Sequence, residues 1–136
     1  MIVYAVFDTN VLVSAMITPH SDSPTIKVLE MVADGRIIPL FNREIITEYD
    51  EVLHRSKFNL REKDISNMIE MFMDRGLITS RIPANEDFAD SDDIVFFEVA
   101  LSKEGAYLIT GNTKHFPKVP IVVTPAEMIQ ILEQQS

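Results

Sequence analysis

Four stations of oxygen-bearing side chains stand out along the chain. Asp8 follows the apolar run Ile2–Phe7, Glu48 and Asp50 sit at the two borders of the buried face of a helix, NEDFADSDD runs from Asn85 to Asp93, and Asn112 lies just beyond YLIT. Hard oxygen donors of this kind suit Mg²⁺ or Mn²⁺. There is no cysteine, and no His or Cys spacing suggests zinc. Ions held in this way activate water and stabilise the leaving oxygen in phosphodiester cleavage. Each station also has a plainer reading. Asp8, Thr9 and Asn10 are residues that cap helices or close turns, and carboxylates on a helix face are usually solvated. Asp90 or Ser91 can cap a helix whose positive end favours Asp92 and Asp93. Periodicity does not choose between Glu48 and Asp50.

The stations matter together only if the fold brings them to one place. Ile2–Phe7 is an almost unbroken apolar run of strand length, as a parallel strand covered on both faces requires. Ser23-Pro24 is a cap followed by proline at the first helical position, and Ile26, Val28, Leu29, Val32 and Ala33 continue that helix to Gly35. Ile37–Phe41 is a short strand in which Pro39 predicts a place near an edge or an early end. Asn42 caps a helix whose buried arc is Ile45, Ile46, Tyr49, Val52 and Leu53. A further helix runs from Leu60 to Gly76, with Asn59 and Glu62 in a capping-box pattern. Leu77–Ile82 reads as a strand, Ile94–Leu101 as a largely buried helix, and Ala106–Thr110 and Val119–Val123 as strands. Thr124-Pro125-Ala126-Glu127 is a full capping box opening the last helix. Strands alternating with helices predict one α/β domain over residues 1–136, a three-layer α/β/α sandwich with a mainly parallel sheet and the first strand central. In such sheets ligands bind at the carboxyl ends of the strands, where Asp8 stands.

The chain has 136 residues, with twelve Lys and Arg against twenty-one Asp and Glu, a net charge of −9. That balance argues against a protein that coats nucleic acid through a general basic face. It leaves room for a nucleic-acid enzyme, because bound cations reverse the local field of a carboxylate cluster. The apolar first run is too short to span a bilayer and lacks a basic leader, so a soluble cytoplasmic protein without a membrane partner is expected.

Taken together, FDTNVLVSA (7–15), EIITEYDEVL (44–53), DSDDIVFFEVA (90–100), YLITGNTKHF (107–116) and TPAEMIQIL (124–132) resemble the PIN-domain family, especially bacterial PIN-type toxins of toxin-antitoxin pairs. The resemblance implies that Asp8, Glu48 and Asp93 are the catalytic acids and hold Mg²⁺ or Mn²⁺ with Asn112. It also implies that Thr9, Asn10 and Asp90 support the site from beside it, and that the activity is cleavage of single-stranded RNA. A cognate antitoxin protein is the implied partner, and a homodimer is compatible with it. Many relatives carry Asp where this chain has Asn112; the amide oxygen still coordinates, but the lost charge weakens a second metal position. The rival within the same fold is a catalytically silent PIN-like module that binds RNA or a protein. A haloacid-dehalogenase-type phosphatase would need a second Asp at position 10, and a receiver domain an acidic pair where Val6 and Phe7 stand.

Lys114, His115 and Lys118 follow the site-facing loop and are the expected contacts for flanking phosphates. Arg55 and Lys57 are weaker candidates for the same task. They belong to HRSKFNLREK (54–63), which holds Arg55, Lys57, Arg61, Lys63, His54 and one aromatic residue. The plainer reading makes both groups solvated loop charges.

Overall fold

A computed structural model describes residues 2–85, 88 and 91–134, with Ser91 described through its backbone alone. The elements follow in the order β1 (Val3–Phe7), α1 (Thr9–Ile17), α2 (Pro24–Ala33), β2 (Ile37–Phe41), α3 (Arg43–Leu53), α4 (Glu62–Arg75), β3 (Leu77–Ile78), α5 (Ser91–Leu101), β4 (Tyr107–Ile109), β5 (Val122–Val123) and α6 (Pro125–Gln134). Short 3₁₀ turns cover Ser56–Phe58 and Thr113–His115. The strands form a five-stranded sheet in the order β3-β2-β1-β4-β5. All its pairs are parallel, with Val3 opposite Ile37, Phe7 opposite Ile109 and Ile109 opposite Val123. The architecture is an α/β/α sandwich with β1 at its centre, as the sequence predicts.

The strand order fixes where a ligand site can lie. From β1 the chain moves to β2 and β3 on one side, then returns to β4 on the other. Connections diverge between β1 and β4, and the crevice beyond the carboxyl ends of such a pair is where open parallel sheets bind ligands. Asp8 follows β1 and Thr110 follows β4, so both stand at that crevice.

Beneath it lies an aromatic cluster. Phe7 and Phe72 of α4 meet edge to face with centroids 5.1 Å apart, Tyr49 of α3 meets Phe72 at 5.6 Å, and Phe96 of α5 lies 6.4 Å from Tyr49. Such pairs add about 0.5–1.5 kcal/mol each beyond their buried area. Three helices are thereby pinned against the end of the central strand. On another part of the molecule α2 packs against α1, α6 and β2.

Local signals account for most element ends. Ser23 Oγ accepts from the Thr25 amide at 3.3 Å, and Asn42 Oδ1 accepts from the Ile45 amide at 2.9 Å. The Thr124 hydroxyl and Glu127 carboxylate cap each other's amides at 3.1 and 2.8 Å, the reciprocal box expected there. The cap residue of α4 is Gly76, and only glycine fits there because a Cβ would stand 2.4 Å from the Pro39 carbonyl oxygen.

Two local expectations need correction, whereas the strand containing Pro39 lies near the edge as expected, second from it, with pairing to β3 beginning only at Leu40. The box between Asn59 and Glu62 does not form: Asn59 is left-handed at φ 50° and Arg61 occupies the cap position. Glu62 bonds His54 Nε2 and Ser66 Oγ instead. The strand expected over 77–82 ends at Ile78, because the segment beyond is drawn to α5. There the Ile82 amide donates to the Glu98 carbonyl at 3.1 Å, and the Ala84 amide and Arg81 Nε donate to its carboxylate at 2.7 and 2.8 Å.

Candidate active site

Asp8 is the residue between β1 and α1, and its amide donates to the Ile109 carbonyl at 2.9 Å. Its side chain is 8 % exposed, which is expensive for a carboxylate unless polar partners surround it. The main partner is Thr110, fully buried, whose hydroxyl donates to Asp8 Oδ2 at 2.7 Å. The same hydroxyl accepts from the Asn112 amide at 3.0 Å, and Asn10 Oδ1 accepts from the Gly111 amide at 3.2 Å. Bonds spanning about a hundred residues of sequence thus tie the end of β1 to the end of β4. Asn10 thereby joins the start of α1 to the loop after β4. Burial pushes the Asp8 carboxyl above its usual range, while the Thr110 hydroxyl, the Thr9 amide, His115 and the Asn10 amide pull it back.

Glu48 faces the same cleft from α3. It is half-buried, whereas Asp50 is exposed and its carboxylate lies 3.4 Å from His54 Nδ1, so the two borders of the helix differ in what they reach. Thr9 Oγ1 donates to Glu48 Oε2 at 3.5 Å, which joins the start of α1 to α3. Burial raises the Glu48 carboxyl above its usual value; Asp92 and Glu51 raise it further, and Arg55 and Thr9 oppose them. Tyr49, the next residue, is wholly buried and donates its hydroxyl to the Phe7 carbonyl, one residue before Asp8. Its own ionisation is pushed far up by burial and then by Asp8 and Glu48. Tyr49 thus locks the helix carrying Glu48 to the strand carrying Asp8.

Asp93 enters from the first turn of α5. Its Oδ2 lies 3.6 Å from His115 Nδ1, and His115 Nε2 lies 3.0 Å from Asn112 Nδ2. Asp93, His115 and Asn112 therefore form one chain of contacts, whose imidazole also acts on the charge of Asp8. Asp90 lies outside the described residues. Among the described residues, no three acidic or imidazole side chains stand close enough together to hold a metal ion.

The cations are distributed differently from the sequence expectation. Asp8, Glu48 and Arg55 line one cleft of about 410 Å³ together with Phe58. Lys114 and Lys118 line a separate groove of about 580 Å³ with Phe116 and Pro117. His115 is turned toward Asp93 rather than toward that groove. Thr110 and Tyr49 are site residues that sequence reasoning misses. A signal for Thr110 exists in its place, a polar residue ending the buried run YLI just as Asp8 ends VYAVF. Nothing in the periodicity of α3 distinguishes a buried tyrosine that bonds a strand end from one that only packs.

A family model described as PIN domain matches residues 4–114. The chain belongs to the PIN-domain family. Its fold is also similar to a chain in the crystal structure of VapBC2 from Rickettsia felis bound to a DNA fragment from their promoter. The TM-score is 0.54 and the identity 21 %, over 89 % of this chain and 96 % of that one. At that identity the likeness shows a shared PIN fold. No curated protein matched the sequence significantly. Among the described residues no helix is long and apolar enough to cross a membrane.

Proposed function

We propose that this PIN-domain protein is a Mg²⁺- or Mn²⁺-dependent endoribonuclease of single-stranded RNA, acting in the cytoplasm as the toxin of a type II toxin-antitoxin pair. The observation that carries the reading is the shared cleft of Asp8 and Glu48, two carboxyls that burial holds above their ordinary range at the switch point of a parallel sheet. The donor set fits a hard cation, since Asp8, Glu48, Asp93 and the amide oxygen of Asn112 offer oxygen alone. These residues would hold the metal, which supplies an activated water and charge stabilisation of the leaving oxygen. Thr110 keeps one Asp8 oxygen oriented, and Tyr49 and Thr9 fix the approach of Glu48. The likeness to PIN-type toxins and the fold shared with a VapBC2 chain support a cognate antitoxin protein as partner, with a homodimer as the companion state.

One observation favours the second reading, a silent module that binds RNA or a protein: the described residues bring no three acids to one point, and Asn112 adds no charge. Cleavage of labelled single-stranded RNA separates the two readings. The nuclease cuts with Mg²⁺ or Mn²⁺, stops in EDTA, and loses activity in Asp8→Asn while remaining folded. Binding without cleavage under every metal condition would establish the silent module.

A further inference from the structure

The turn after α3 shares the cleft of Asp8 and Glu48 and carries chemistry that the acids lack. Arg55 and Phe58 both line that cleft, beside the apolar side chains of Val13, Ile17 and Val52. The turn is built rather than loose. The Arg55 amide donates to Val52, the Phe58 amide to Arg55 and the Asn59 amide to Ser56, all at 3.1 Å, and Asn59 closes it at φ 50°. Phe58 is half-buried, so its ring has a fixed place, and Lys57 Nζ lies 5.1 Å from the ring centroid. Arg55 is exposed and makes no salt bridge among the described residues, although its charge lowers the Glu48 carboxyl. An aromatic ring with an exposed guanidinium beside it and an ammonium on one of its faces is what an unpaired nucleotide requires: the base stacks on the other face and the backbone phosphate meets the cations. A paired strand keeps its bases inside and offers no face to the ring.

We propose that the Ser56–Phe58 turn is the nucleotide subsite beside the reacting phosphate, with Phe58 stacking on one base and Arg55 holding the adjoining phosphate. It is this subsite, rather than the groove of Lys114 and Lys118, that selects single strands. The assignment rests on the nuclease reading, and the test keeps the two apart. Affinity for a fluorescein-labelled oligouridine is measured by anisotropy with Ca²⁺, whose looser coordination slows cleavage. The same titration is run on an abasic oligomer of equal length, and cleavage by the unaltered protein is measured with Mg²⁺.

Phe58→Leu should bind oligouridine about tenfold more weakly, Phe58→Tyr should retain affinity, and Phe58→Leu should match the unaltered protein on the abasic oligomer. Arg55→Ala should lower the salt slope of binding by about 0.7. If the unaltered protein binds and cuts RNA while Phe58→Leu and Arg55→Ala leave affinity and slope unchanged, the subsite is overturned and the nuclease reading stands. Equal losses on both oligomers in Phe58→Leu would mean a disturbed turn and would overturn the stacking assignment. If the unaltered protein neither binds nor cuts RNA, the nuclease reading fails and takes the subsite with it.

Discussion

Thr110→Val removes a hydroxyl and almost no volume from the point where β1 and β4 are tied together. The hydroxyl is fully buried, donates to Asp8 Oδ2 at 2.7 Å and accepts from the Asn112 amide at 3.0 Å. A hydrogen bond to a charged partner contributes about 1.5–3 kcal/mol and a neutral one about 0.5–1.5 kcal/mol, so losing both costs at most about 4.5 kcal/mol. The expected deficit near pH 8 is therefore about 2–4 kcal/mol. A carboxyl whose folded pKa is raised binds more proton folded than unfolded, so its contribution is most favourable below the unfolded pKa and is lost as pH rises through the folded one. Removing the donor raises the folded pKa further and carries that loss to higher pH. The deficit should thus be smaller at pH 5 than at pH 8. Urea unfolding in EDTA at both pH values measures it, for the unaltered protein, Thr110→Val, Asp8→Asn and the double variant. The cycle should show about 1.5–3 kcal/mol of coupling at pH 8. A deficit equal at both pH values, with no coupling to Asp8→Asn, would refute the account of how the buried carboxylate is held.

Two further outcomes follow from the same framework. Tyr49→Phe leaves the Phe7 carbonyl without its donor and should cost about 1 kcal/mol in thermal unfolding, with a larger proportional fall in RNA cleavage because Glu48 is then less firmly positioned. Glu98→Gln should cost about 1–2 kcal/mol at pH 7. The Ala84 amide first, and Arg81 after it, hold the Glu98 carboxyl below its usual value, so its contribution is present above the unfolded pKa and lost as pH falls through the lower folded one. Acid titration of unfolding should bring the two curves together below about pH 4.3.

Sequence patterns expose what is set by local chemistry or by unbroken apolar runs. The central strand before Asp8, the caps at Ser23 and Asn42 and the reciprocal box at Thr124 are all of this kind. The Asn59 and Glu62 pattern has the same spacing as a real box, yet tertiary pairing of Glu62 with His54 competes successfully for the carboxylate. Leu77–Ile82 carries strand-like residues, but Glu98 from a distant helix captures the backbone after Ile78. The same limit applies at the site. Asp8 is legible because it ends a buried strand, while Thr110 matters only because β4 lies beside β1. That adjacency follows from the crossover and is invisible in either strand alone.

The acid that this chain lacks at position 112 changes what its neighbours must do. With Asn112 Nδ2 donating to His115 Nε2 at 3.0 Å, that nitrogen accepts and the ring hydrogen on Nδ1 faces Asp93 Oδ2, 3.6 Å away. One ring then bridges both neighbours. A carboxylate at 112 would present an acceptor on each side of the ring, an arrangement served only by imidazolium. It would also bring another negative charge to the β4 end of the crevice, whose Thr110 already orients Asp8. The amide thus keeps the backbone of 112 in its role, donating to Thr110 at 3.0 Å, while lowering the repulsion that the remaining acids must overcome without a cation. Positive charge for a polyanion then has to come from bound metal and from the rim of the cleft. Arg55 lines that cleft with Asp8 and Glu48, so on the proposed nuclease reading it is the group placed to reconcile an acidic centre and a net charge of −9 with an anionic ligand.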